Sequence, residues 1–241
     1  MTDPACARAA LKYLEQRRFD FRELSLLWDL QFSRSSSAPA PAFKNRIIIP
    51  IFAPVASLLN GGAHTPQLLV GWQARTIMPR PPKGCPKYFM ARDLEKSAVL
   101  YGLPQALQTT GPLVIVEGCS DVWRLATNAM AMFGKSLSRQ QQELLIRHFR
   151  GRPLVLFLDR DAASEMNAAR SRLLAARKIA HDSGKVVIAQ LPDGRNDVGE
   201  CSREQVWRQV AAALGEEFGE LWAQVQESIH RRMHAELRSN S

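Results

Sequence analysis

The stretch from Leu113 to Asp197 constrains the fold most. Four short apolar runs, "LVIVE", "MAMF", "LVLFLD" and "KVVIAQLP", are separated by helical stretches around 121–129, 139–149 and 162–182. Runs that are apolar on nearly every residue need cover on both faces. Strands alternating with helices supply that cover, as a parallel sheet with helices packed against each side. The pattern predicts an α/β, Rossmann-like unit. Ser138 and Gln141 form a capping-box pattern that opens the second helix, and Gly184 is placed to end the third.

Upstream the pattern is different. "ACARAALKYLEQRR" and "DFRELSLLWDL" carry apolar residues at helical spacing, the second opening on Asp20 and Glu23 as a capping box. "SRSSSAPAPA", Ser33 to Ala42, reads as a flexible or extended linker. "NRIIIPIF" and "QLLVGWQARTI" are predicted strands pairing across "LNGGAHTP", with Pro50 marking an edge or a strand end. "MPRPPKGCPKY", Met78 to Tyr88, is a basic loop. After Asp197, Ser202 and Gln205 form another capping box at the head of one long or two shorter helices over roughly 203–237. The expected organisation is an α+β basic subdomain at 1–110, the parallel-sheet unit at 111–200 and a helical segment at 201–241.

Charge narrows the function. With Lys and Arg numbering 32 against 23 Asp and Glu, the formal charge is +9, and nucleic acid is the commonest partner for such an excess. The four cysteines, Cys6, Cys85, Cys119 and Cys201, form no CxxC pair and no zinc-ligand spacing. No signal-peptide pattern opens the chain, and no apolar run approaches the roughly 20 residues that span a bilayer. A cytoplasmic protein with no membrane association is expected.

The acidic residues point to chemistry. Ligands of parallel sheets bind beyond the carboxyl ends of the strands. Glu117 ends the first run and Asp121 falls in the first turn of the next helix. Asp159 ends the third run, with Asp161 two residues on and facing the same way if the chain stays extended. The fourth run leads into "DGRNDVGE", with Asp193, Asp197 and Glu200. Taken singly, an Asp at a strand end is usually a helix cap or a solvated loop residue. Three strands aiming carboxylates at one edge is another matter, because such a cluster repels itself unless a cation neutralises it. Mg²⁺ or Mn²⁺, hard ions with oxygen ligands, fit, and phosphoryl transfer is the leading chemistry.

The residues "LVIVEGCSDVWRL", "LVLFLDRDAAS" and "LPDGRND" resemble the Toprim fold shared by DnaG-type primases, type IA and type II topoisomerases and some nucleases. The order "YLEQRRFDFREL", "NRIIIPI", "VGWQARTI", "PKYFM", "LYGLPQA" and then "FGKSLSRQQQELL" resembles the catalytic, RNA-polymerase core of bacterial DnaG-type primases, without the zinc-binding module. The resemblance implies metal-dependent synthesis of RNA primers on single-stranded DNA. It assigns metal binding to Glu117, Asp121, Asp159, Asp161 and Asp197, with Glu117, Asp159 and Asp161 catalytic and Glu117 a ligand or general base. It assigns template and nucleotide binding to Arg46, Arg75 and Lys87. Lys83, in the same basic loop, joins them on charge alone, and the four are expected to form a phosphate-tracking groove beside the acidic edge. The implied partners are single-stranded DNA, NTPs and a separate zinc-module protein or a helicase, in a bacterium or a mobile element.

Two departures from that pattern leave alternatives open. Arg160 stands where the acidic pair normally encloses Gly, and Gly199 stands where the third motif normally has its second Asp. A catalytically reduced Toprim protein that binds single-stranded DNA as a replication accessory is one alternative, and a Toprim nuclease is another. A topoisomerase would need a nucleophilic tyrosine, and Tyr13, Tyr88 and Tyr101 all fall within primase-like motifs.

Overall fold

In the four apolar runs the strands are short, and the first three are buried at every residue. The computed structural model describes residues 4–33, 45–54 and 67–239, so most of the predicted linker and the "LNGGAHTP" turn lie outside the described residues. The runs form β5 (Leu113–Val116), β6 (Ala129–Ala131), β7 (Leu154–Leu156) and β8 (Val186–Ile188), all parallel, in the order β6-β5-β7-β8. Every residue of β5 is buried. Leu113 and Ile115 join a core with Leu145 and Phe149, at α5 (Arg139–His148), and with Met166, Ala169 and Leu173 of α6 (Ala163–Ile179). Helices α4 (Cys119–Leu125) and α7 (Arg203–Leu214) pack on each other, α4 also on β6 and α7 also on β7 and β8, burying Trp123 and Trp207.

Local signals set the helix ends. Ser138 and Gln141 close a reciprocal box, each side chain accepting the other's backbone N–H at 3.0 Å. Ser202 and Gln205 do the same at 2.9 and 3.1 Å. The C-terminal segment is two helices, because Gly215 at φ 71 stops α7 before α8 (Phe218–Ser239) begins.

Gly184 does not end α6, contrary to the sequence reading. The helix stops four residues earlier, at Ala180, and His181 takes the left-handed φ of 49. Gly184 is small for a packing reason: a Cβ there would stand 1.6 Å from Arg177 Nη1 and 3.0 Å from the Arg152 carbonyl. Arg177 cannot step aside, since its buried guanidinium donates to the carbonyls of Phe149, Arg152 and Lys185 and lies 3.5 Å from Asp182.

The chain divides into two compact units, residues 53–68 with 95–234, which hold the parallel sheet, and residues 1–52 with 69–94 and 235–241. In the second of these, helices α1 (Pro4–Gln16) and α2 (Phe21–Trp28) precede a sheet ordered β1 (Gln31–Phe32), β2 (Arg46–Pro54), β3 (Gln67–Thr76) and β4 (Tyr88–Met90). Asp20 caps α2, accepting the Glu23 N–H at 3.0 Å. β1 runs antiparallel to β2 opposite Ile47 and Ile48, so Pro50 falls opposite a position before β1 begins and its missing N–H breaks no ladder with that strand. No helix among the described residues is long and apolar enough to cross a membrane.

Candidate active site

Glu117 leaves the end of β5 and Asp159 leaves β7, the neighbouring strand. The Asp159 backbone N–H donates to Glu117 Oε1 at 3.3 Å, which holds the two strand ends in register. Burial pushes the Glu117 carboxyl above its ordinary range, with Lys135 and the Asp159 N–H pulling the other way. Asp159 is displaced further, to about 7, first by burial and then by the charges of Glu117, Asp121, Asp197 and Asp161. Four carboxylates therefore act on one half-buried acid.

Asp121 and Asp197 are also held by the backbone. Asp121 Oδ2 accepts the Gly118 N–H at 3.0 Å at the head of α4. Asp197 caps the turn Val198–Glu200, accepting the Glu200 N–H at 2.9 Å, while Glu200 Oε2 turns back to accept the Asn196 N–H at 2.9 Å. Gly199 offers its carbonyl to Arg124 at 3.4 Å.

The chain does not stay extended between Asp159 and Asp161. Residues Arg160–Ala162 form a 3₁₀ turn closed by the Ala162 N–H on the Asp159 carbonyl at 2.9 Å. Asp161 is thereby swung outward, with a side chain 73% exposed, and pairs with Lys135 Nζ at 2.5 Å. Arg160 is engaged with the third acidic loop: its Nε donates to the Arg195 carbonyl at 3.1 Å, its Nη2 to the Pro192 carbonyl at 3.3 Å, and its backbone N–H to the Asn196 carbonyl at 3.1 Å.

The donors suit a hard divalent cation by chemistry. Carboxylate oxygens gather around Asp159, and their repulsion adds to the burial that raises it. Among the described residues, no three of His, Cys, Asp and Glu stand close enough to hold a metal by themselves. An ion here would take one or two of these carboxylates and complete its shell with water and phosphate. Glu117 and Asp159, tied together at adjacent strand ends, are the pair that would hold it.

In the other unit the basic residues divide into two groups. Arg46 is buried, and its guanidinium donates to the carbonyls of Pro86 at 2.8 Å and Ala74 at 3.1 Å and to Cys85 Sγ at 3.1 Å. Arg75 is buried too, donating to the Tyr13 and Tyr88 hydroxyls and stacked over both rings. Lys83 and Lys87 are exposed. Lys87 Nζ lies 5.8 Å from the Tyr88 ring centroid.

No protein-family profile matches the chain. A DNA primase of Synechococcus elongatus is 30% identical over 174 residues, which cover 68% of this chain and 23% of that protein. The chain thus spans about a quarter of the length of this curated relative. Among solved structures, a DnaG primase catalytic domain bound to ssDNA superposes with a TM-score of 0.63 at 22% identity, covering 88% of this chain and 73% of that one. This is the DnaG catalytic-core fold. The Escherichia coli primase catalytic core gives 0.59 at 22% identity, covering 88% of this chain and 74% of that one. The zinc-binding and RNA polymerase domains of Aquifex aeolicus primase give 0.64 at 22% identity, covering 93% and 60%.

Within this fold, the sequence reading missed Lys135. It follows Phe133 at φ 60 and Gly134 at φ 150, and this kink delivers a cation to the carboxylates of Glu117, Asp161 and Glu165. The "FGK" in the motif after the second apolar run was the available signal. Glu165, one turn into α6, was missed as well, and only the fold reveals that its charge bears on Glu117. Arg80 is a further exposed cation on the loop of Lys83 and Lys87.

Proposed function

We propose that this chain is the polymerising core of a DnaG-type primase, joining ribonucleotides into primers on a single-stranded DNA template. The observation that carries this reading is Asp159, raised to about 7 by burial and four neighbouring carboxylates at the carboxyl ends of parallel strands. Such a centre gains most from a divalent cation and the phosphates that accompany it. Mg²⁺ or Mn²⁺, when bound, supplies charge neutralisation for the incoming triphosphate. Glu117 and Asp159, side by side at adjacent strand ends, anchor the centre, and the N–H of Asp159 orients Glu117 Oε1. Lys135 holds Asp161 and gives the triphosphate a positive point of contact when that pair opens. Lys83 and Lys87, exposed and basic, bind template phosphates.

The test is primer synthesis from labelled NTPs on single-stranded DNA with Mg²⁺ or Mn²⁺, with and without a zinc-module protein from the same source. Products of a few nucleotides that disappear in Asp159→Asn support the reading. A chain that binds Mn²⁺ and DNA yet makes no product under either condition overturns it.

A further inference from the structure

Two histidines on the last helix have no part in the proposed reaction. His230 and His234 lie one helical turn apart on α8, both exposed, with ring centroids 4.4 Å apart and planes at 68°. Residues four apart on a helix share a face and stand about 6 Å apart along its axis, so their imidazoles can reach one ion between them. The adjacent arginines are drawn elsewhere: Arg231 pairs with Glu227 at 2.7 Å, and Arg232 donates to Gln108 Oε1.

We propose that His230 and His234 form a binding site for a transition-metal dication of the zinc class. Imidazole nitrogens favour Zn²⁺, Ni²⁺ or Cu²⁺, whereas the acidic centre offers the oxygen donors that suit Mg²⁺ or Mn²⁺, so the two sites select different ions by donor chemistry. Two imidazoles fill two positions of a roughly tetrahedral shell. Glu227, three residues before His230, is held by Arg231, so the ion's other positions are left to solvent. Water completes the shell. A bound ion ties successive turns of α8 together and stabilises the helix that carries both ligands.

The experiment uses the full chain and Zn²⁺ alone, titrated calorimetrically in millimolar Mg²⁺ so that oxygen-donor sites are already taken. Wild type is expected to bind one Zn²⁺ in the micromolar range, to shift the ring-proton resonances of two histidines, and to melt at higher temperature with Zn²⁺ present. His230→Gln and His234→Gln, both exposed changes, should fold as wild type does and each lose affinity at least tenfold together with the thermal shift. Wild-type Zn²⁺ affinity in either variant overturns the proposal. So does Zn²⁺ binding that leaves the ring protons of both histidines unmoved.

Discussion

The backbone N–H of Asp159 donates to Glu117 Oε1 at 3.3 Å, so the carboxylate from one strand end is held by the main chain of the next. A shift of either strand end would strain that contact. Asp159 carries the greater electrostatic load, being raised from 3.8 to about 7.

That load gives the first prediction. The folded state holds a proton on Asp159 that the unfolded chain releases near pH 4, so stability from this group falls as pH rises from about 4 to about 7 and is level above. Asp159→Asn should therefore be more stable than wild type at pH 8, by about 1 kcal/mol once solvent screening of a half-exposed group is allowed for, and no more stable at pH 4. Primer synthesis by the same variant should fall about 100-fold or more. Urea unfolding at the two pH values checks the first part, and a gain at pH 4 equal to that at pH 8 would refute it.

Lys135 neutralises the same carboxylates from within the chain. Lys135→Gln should tighten Mn²⁺ binding severalfold, because the ion no longer competes with an ammonium for Asp161 and Glu117. If Lys135 also meets the triphosphate, KM for NTP should rise in the same variant. Calorimetric Mn²⁺ titration and steady-state kinetics separate the two effects, and weaker Mn²⁺ binding would contradict the first.

Gly184→Ala should destabilise the chain by about 2–4 kcal/mol, since the new methyl displaces a buried guanidinium from three carbonyls and from Asp182. Asp182 adds a pH signature. It accepts the N–H groups of Gly151 at 2.8 Å and Gly184 at 2.9 Å, and with Arg177 these hold its carboxyl below the ordinary value despite burial. Its contribution is present above pH 4 and is lost on acidification through the lowered pKa. Asp182→Asn should flatten the acid limb of a stability–pH profile.

Arg46 and Lys87 should behave as opposites. Arg46→Gln removes donors that buried carbonyls rely on and should cost about 2–4 kcal/mol of stability. Lys87→Gln should leave stability unchanged and reduce the slope of log K against log salt for single-stranded DNA by about 1. An unaltered salt slope would remove Lys87 from the template path.

Particular residues show what the sequence made legible. Parallel strands followed from runs such as Leu113 to Val116, because solid apolar character admits few other fates, and the capping boxes at Ser138 and Ser202 needed only a four-residue window. What depended on three dimensions was missed. The resemblance assigns Arg46 to template or nucleotide binding, and its motif does not display the carbonyls that its guanidinium meets. Gly184 reads as a helix stop, although the atom that forbids a side chain there belongs to Arg177. Asp161 was aimed by assuming an extended chain, which a single 3₁₀ turn cancels.

Arg160 joins the second acidic motif to the third through three hydrogen bonds to the carbonyls of residues 192, 195 and 196. The two motifs have therefore ceased to be interchangeable parts. Grafting a glycine from a related core into position 160 strips two side-chain donors from the loop that presents Asp197, and the loop of that same relative would have to be moved with it.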